Sequence, residues 1–218
     1  MAKTKPFDEH LNEYEQWFSD NQYTFESELK AIRNVLPKKG KGIEIGIGSG
    51  VFAAPLGIIE GIEPSKAMRE KAVERGLHVI DGVAENLPFA NKSYDFALMV
   101  TTICFVDDIS RSFAEAHRIL KEKGILILGF VDKESPVGKL YLNLKDKSIF
   151  YKDARFYSTE EVYRFLWEND FNIISTYQTV FGLLEQIKEI QEPENGYGKG
   201  SFVVIKAKKY NAGVYFKT

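Results

Sequence analysis

The stretch Gly42-Ile43-Glu44-Ile45-Gly46-Ile47-Gly48-Ser49-Gly50 limits the folds open to this chain more than any other. Its isoleucines mark a short β-branched strand, and three glycines at alternate positions then lead into a brief helical stretch, Val51 to Leu56. Glycine accepts positive φ and carries no Cβ, so the backbone here can turn sharply and let a ligand approach it. Strand, glycine turn and helix in this order form the start of a βαβ unit, whose ligands lie past the carboxyl ends of the strands. A tight turn with no ligand is the plainer alternative. Against it stands Glu63, in Gly61-Ile62-Glu63-Pro64-Ser65 at the end of the next strand. An acidic residue roughly 20 positions after such a turn can accept hydrogen bonds from both hydroxyls of a ribose.

The spacing also selects among nucleotide-like ligands. A dinucleotide fingerprint, G-x-G-x-x-G, needs glycine at position 51 if Gly46 and Gly48 are its first two, and position 51 is Val51. No basic residue stands beside the turn to neutralise phosphates. An adenosine ligand without phosphates fits better, and a nicotinamide-dependent oxidoreductase fits worse.

The rest of the chain carries the same alternation. Ile58–Ile62, Leu77–Ile80, Tyr94–Val100 and Ile125–Val131 are short apolar runs suited to buried parallel strands. Helices are predicted between them, one from Ser65 to Arg75 with Ser65 as cap and Gly76 as stop, another capped by Asp107 or Asp108 and running to Leu120. Strands alternating with helices give an α/β fold with a mostly parallel sheet. Before the sheet, Asp8 to Leu36 has helical spacing. After Val131 the alternation stops. Asp132 to Tyr157 reads as a covering segment, helical around Leu140 to Leu144. Ser158 with Glu161 forms a capping box for the next helix, and Phe171–Val180 and Ser201–Lys208 read as strands. One domain over residues 1–218 is expected: a helical lid (1–37), a cofactor-binding core (38–131), the covering segment (132–157), and a carboxyl-terminal helix with antiparallel strands (158–218).

At this point the motifs resemble those of class I S-adenosylmethionine-dependent methyltransferases of the type-11 domain, and especially the ubiquinone and menaquinone biosynthesis enzymes. Glu44-x-Gly46-x-Gly48-x-Gly50 matches that family's first motif, and Gly61 to Ser65 resembles its G-[VI]-[DE]-P-S segment. Gly82-Val83-Ala84-Glu85-Asn86-Leu87-Pro88-Phe89 is similar to G-D-A-E-x-L-P-F, and Glu115 to Gly124 to E-x-x-R-[VI]-L-K-P-G-G. The resemblance implies a three-layer α/β/α Rossmann-like sandwich. Its sheet would have seven strands, the last inserted antiparallel before the sixth.

The resemblance also implies S-adenosylmethionine as cofactor and S-adenosylhomocysteine as product. Gly46, Gly48 and Gly50 would lie under the methionine portion, with Glu44 orienting the turn. Glu63 would bind the ribose hydroxyls, Pro64 would touch the adenine face, and Val83, Ala84 and Glu85 would meet the adenine edge. Thr101 and Ile103 would line the methionine end. Val83 stands where the family carries an acidic residue, which leaves the Ala84 backbone or Glu85 to meet the adenine amino group.

Methyl transfer from a sulfonium is an in-line displacement of an already activated carbon, so approach and alignment matter more than acid–base chemistry. No catalytic residue is assigned. His10, Tyr14, Asp107 and Asp108 are base candidates with ordinary structural readings beside them, and no Cys/His cluster has metal-ligand spacing. Tyr14, Trp17 and Phe18 before the sheet, and Tyr141 and Tyr151 after it, are expected to form an aromatic lid over a small-molecule acceptor. The alternatives are a catalytically silent adenosyl-binding module and a methyltransferase acting on a macromolecule. A net charge of −2 gives no general attraction to nucleic acid. No apolar run is long enough to span a bilayer, no secretory h-region follows the first lysines, and the single cysteine suits a reducing compartment, so a cytoplasmic location is expected. Oligomeric state is left open.

Overall fold

The structure, a computed structural model, describes residues 3–210; residues 1, 2 and 211–218, which fall in the expected lid and carboxyl-terminal segments, lie outside the described residues. At its centre, among the described residues, is an eight-stranded sheet in the order β3-β2-β1-β4-β5-β8-β6-β7. Strands β1 (Gly42–Ile45), β2 (Glu60–Ile62), β3 (His78–Ile80), β4 (Tyr94–Val100) and β5 (Leu120–Val131) are mutually parallel. The last long strand, β8 (Phe202–Lys209), is antiparallel between β5 and β6 (Phe171–Thr179). This is the antiparallel insertion that the sequence resemblance implies, with a two-residue strand, β7 (Glu194–Asn195), added at the β6 edge. No helix among the described residues is long and apolar enough to cross a membrane.

Alternation along β4 explains the three layers. Ala97 and Met99 face one side, joined by Tyr94 across the register irregularity before Phe96, and there α6 (Ile109–Ile119) and α8 (Thr159–Glu168) contribute Phe113, Ala116, Val162 and Leu166. Phe96, Leu98 and Val100 face the other, against Leu29, Ala31, Ile32 and Val35 of α3 (Gln22–Val35) and Ala72 of α5 (Lys66–Glu74). Side-chain caps fix where these helices begin. Ser65 accepts from Met68 N, Asp108 from Arg111 N, and Ser158 and Glu161 close a reciprocal capping box.

Three stretches differ from the sequence expectation. Asp8 to Leu36 is not one helical run but three helices, α1 (Lys5–Glu9), α2 (Leu11–Asp20) and α3, broken at His10 (φ −128°, ψ 38°) and Asn21 (φ −116°, ψ 40°). Neither break carries Gly or Pro. Asn21 Nδ2 instead donates to Trp17 O, giving up helical continuity for a local bond. The breaks let α1 pack beside α5 while α3 joins the helical layer. Strand β5 also starts earlier than Ile125. It runs straight out of α6 at Leu120, with a register irregularity opposite Tyr94 and Phe96. The covering segment begins with α7 (Pro136–Leu144), longer than the expected 140–144 turn. The first helix after the glycine turn, α4 (Ala53–Leu56), is a single turn.

Candidate functional site

From β1 the chain winds outward through β2 and β3, then crosses back to β4. The carboxyl ends of β1 and β4 therefore flank the point where strand order reverses, the place where open α/β sheets bind ligands. A cavity of about 410 Å³ lies there. Its wall takes Gly46 and Gly48 from the turn after β1, Glu63 and Pro64 after β2, Val83, Ala84 and Glu85 after β3, and Thr101 and Thr102 after β4.

The three turn glycines, all at positive φ, do different jobs. A Cβ at Gly50 would fall 2.3 Å from Leu77 Cδ1, and one at Gly46 would fall 2.4 Å from Thr102 Cγ2. Packing within the protein demands these two. At Gly48 (φ 56°) the nearest atom to such a Cβ is the Tyr14 hydroxyl, 3.2 Å away, so Gly48 opens toward the cavity. Gly50 does not line the cavity at all.

Glu63 ties the turn to the next strand. Gly48 N–H donates to its Oε2 (3.0 Å) and Ser65 N–H to its Oε1 (2.9 Å). Burial pushes its pKa up to about 6, and these two N–H donors hold the rise in check. Glu44, in β1, is 1% exposed, and its Oε2 has no hydrogen-bond partner among the described residues. Burial first, and then the charge of Glu63, push its pKa far up. Glu44 lies beneath the turn and does not line the cavity wall.

Past β4 the chain bends at Thr101, a β-branched residue at φ 50°. Backbone of this kind is costly and recurs at functional sites. Thr101 N–H donates to Gly129 O (2.7 Å), and Thr102 Oγ1 donates toward Ile45 O, Gly46 O and Val100 O. Thr101 and Thr102 face the cavity, whereas Ile103 turns into the apolar core at 2% exposure. Glu85 is engaged on the rim: its Oε1 accepts from Asp107 N (2.7 Å) and Asp108 N (3.3 Å). Arg111, which sequence reasoning did not single out, lines the same rim and donates to Glu85 O.

A second cavity of about 420 Å³ adjoins the first. Phe7, Tyr14, Thr101 and Phe105 line both and so mark the junction. The expected lid residues Trp17, Phe18, Tyr141 and Tyr151 all line the second cavity. Tyr141 and Tyr151 stack with centroids 4.8 Å apart, and Phe18 meets Tyr14 and Trp17 edge-on at 5.1 Å. The lid is tied down as well. Glu15 on α2 pairs with Arg75 and with the Ser49 hydroxyl, while Arg75 Nη1 donates to Ser49 O (2.6 Å).

Among the base candidates, burial and nearby carboxylates keep the Tyr14 hydroxyl protonated. His10 Nδ1 pairs with Glu13 in the solvent-facing layer, and Asp108 caps α6. Cys104 donates to Thr101 O, and burial pushes its thiol up to about 12, so it is no thiolate nucleophile.

A methyltransferase-domain family matches residues 43–128, the span that builds the first cavity. A solved structure from Thermotoga maritima, described as a SAM-dependent methyltransferase and possible histamine N-methyltransferase, is 49% identical. It covers 94% of this chain and 99% of its own, with a TM-score of 0.92. This chain belongs to the S-adenosylmethionine-dependent methyltransferases. An uncharacterized protein of Methanocaldococcus jannaschii is 41% identical over 93% of this chain and 98% of its own length. The ubiquinone/menaquinone biosynthesis C-methyltransferase of Rhizobium meliloti is 37% identical over a shorter stretch, 32% of this chain and 27% of its own length.

The cofactor of this methyltransferase is S-adenosylmethionine, and the first cavity suits it on the structure's own terms. Gly48 offers open backbone, Glu63 keeps lone pairs beyond its two backbone bonds, and the orphaned Glu44 oxygen lies under the same turn. Pro64, Val83 and Ala84 supply apolar wall for an adenine ring.

Proposed function

We propose that this methyltransferase methylates a small molecule held in the second cavity, at an oxygen, nitrogen or carbon presented at the junction. The observation that carries this reading is the pair of cavities of similar size meeting at Phe7, Tyr14, Thr101 and Phe105. A cofactor seated in the first supplies a sulfonium-activated methyl carbon. The chain's own contribution is alignment and dryness. Gly48, Glu63, Pro64, Val83 and Ala84 hold the donor end, Thr101 and Thr102 fix the β4 bend beside it, and the α1–α2 rings shut water out of the junction. Glu44 keeps the turn in place from below.

Tyr14 stands at the junction with a proton it does not give up, so it acts as a hydrogen-bond donor and wall rather than a base. The acceptor's nucleophilic atom must then arrive with an available electron pair, or lose its proton to a group other than Tyr14.

Thermal melts test the donor half. S-adenosylhomocysteine at 100 times its dissociation constant stabilises by about 2.7 kcal/mol, and NAD gives no shift. A shift with NAD and none with either adenosyl compound would overturn the reading. Homocysteine-release assays across small amine, phenol and quinol acceptors test the other half. Turnover confined to protein or RNA substrates would count against a small-molecule acceptor.

A further inference from the structure

Glu28 is a buried carboxyl that nothing above has used. It lies three residues after Phe25 and four before Ile32, so helical geometry turns it onto the inward stripe of α3. Only 5% of it is exposed, and it lines the second cavity. No hydrogen bond or ion pair from the described residues reaches its carboxyl, and burial alone pushes its pKa up to about 8. A largely buried carboxyl with no donor from the protein is costly to a fold, and its bonding is left to what occupies the cavity. Such a group in a cavity wall belongs to whatever fills the cavity.

Its surroundings say what that is. Trp17, Phe18, Phe52, Tyr141 and Tyr151 line the same space, and apolar Val137, Val180 and Leu184 complete much of the rest. The other charged residues on this wall, Glu13 and Lys147, are exposed. Aromatic faces attract a cation, a buried carboxylate neutralises it, and together they reject an anion. Glu28 is also absent from the junction with the first cavity. It therefore does not touch the reacting atom and serves to anchor the other end of the acceptor.

We propose that the acceptor is an amine with an apolar body, whose protonated nitrogen seats against Glu28 while a different atom of the same molecule faces the junction. This rests on the two-cavity reading and names the class of molecule that fills the acceptor side. The nitrogen held by Glu28 stays charged and is not the nucleophile. Anionic acceptors are excluded, and neutral phenols or quinols of the same shape bind less well.

The test uses the full chain saturated with S-adenosylhomocysteine, titrated calorimetrically with three probes of one shape: 2-phenylethylammonium, 2-phenylethanol and 3-phenylpropanoate. Wild type is expected to bind the ammonium at least tenfold tighter than the alcohol and to reject the carboxylate. Glu28→Gln, which keeps the shape and removes the charge, should erase the preference for the ammonium while leaving S-adenosylhomocysteine affinity unchanged. Equal binding of ammonium and alcohol by wild type would overturn the proposal, as would no ammonium binding by a protein that does bind S-adenosylhomocysteine, or a preference that survives in Glu28→Gln. The wild-type comparison stands even if the variant fails to fold. Failure of wild type to bind S-adenosylhomocysteine would instead sink the two-cavity reading underneath.

Discussion

The two cavities are built from different material. The first is made mostly of strand ends and the loops that leave them, with backbone groups at Gly48 and Thr101 and a carboxylate, Glu63, clamped by backbone N–H donors. The second is made of side chains from α1, α2, α3, α7 and the segment after it, brought together across more than a hundred residues of chain. Backbone geometry suits a ligand that never changes. A wall of rings and one buried carboxyl can be altered residue by residue without disturbing the sheet, and that suits a site that sets specificity.

A substitution in the turn should therefore separate the two regions most sharply. Gly48→Leu places a side chain at φ 56°, facing the Tyr14 hydroxyl. The backbone strain costs about 1–2 kcal/mol, tolerable for the fold, but the new side chain fills the donor cavity. S-adenosylhomocysteine affinity should fall at least a thousandfold, about 4 kcal/mol, with near-native circular dichroism. Unchanged affinity by calorimetry would remove the turn from the site.

The acceptor side answers to pH instead. The Glu28 carboxyl rises from a usual 4.5 to about 8 in the folded chain. Between those values the folded state keeps a proton that the unfolded state releases, so this group's stabilising contribution is whole below about pH 4.5 and fades as pH climbs through 8. Gln has no such titration. Urea denaturation of the cofactor-free protein should show Glu28→Gln gaining about 4 kcal/mol on wild type between pH 5 and pH 9. A constant difference across that range would mean Glu28 is solvated.

The contrast between the cavities also explains what the sequence disclosed. Strand, glycine turn and the acidic residue after β2 lie within one βαβ unit, and local spacing fixes them. Ser65, Asp108 and the Ser158–Glu161 box were legible for the same reason, since a cap is a bond over three residues. What escaped depends on tertiary packing. Gly50 reads as a ligand-facing glycine, yet Leu77 crowds it and it stays out of the cavity wall, while Gly46 lines the wall even though Thr102 packs against it. Ile103 and Thr102 are neighbours, and only the bend at Thr101 decides which one meets the cavity. The helix breaks at His10 and Asn21 carry no Gly or Pro to announce them. Glu28 did leave a trace, a charged residue on the apolar stripe of Phe25, Leu29 and Ile32, but periodicity alone does not say whether such a residue meets solvent or a cavity.

Glu63 offers a middle-sized effect on the donor side. Replacing it by Gln leaves only one carbonyl oxygen for the two N–H groups of Gly48 and Ser65, and turns an amide toward the other. A lost bond to a charged acceptor is worth about 1.5–3 kcal/mol, so S-adenosylhomocysteine should bind at least tenfold more weakly. The wild-type pKa of about 6 adds a signature. Below that pH the carboxyl takes a proton and loses acceptor capacity, so wild-type affinity should decline from about pH 6 downward while the variant's stays flat. Parallel pH profiles would show that Glu63 does not bind the cofactor as its ionised form.

The smallest expected effect tests the link between the two regions. Glu15 on α2 joins Arg75 and Ser49, and so holds the aromatic lid of the acceptor side to the glycine turn of the donor side. The Glu15 and Arg75 side chains are 24% and 27% exposed, which leaves the pair partly screened and worth about 1 kcal/mol. Glu15→Gln keeps a bond to Ser49 within reach but removes the charge from Arg75. If the lid closes over both ligands as one unit, S-adenosylhomocysteine and the acceptor should each weaken by about threefold, roughly 0.7 kcal/mol, with faster dissociation in stopped-flow measurements. A change confined to the cofactor would mean that Glu15 only braces the turn. In that case the rings of α2 hold their place over the acceptor through packing, with Phe7 and Phe150 against Tyr14 and with Phe25 and Phe52 against Phe18.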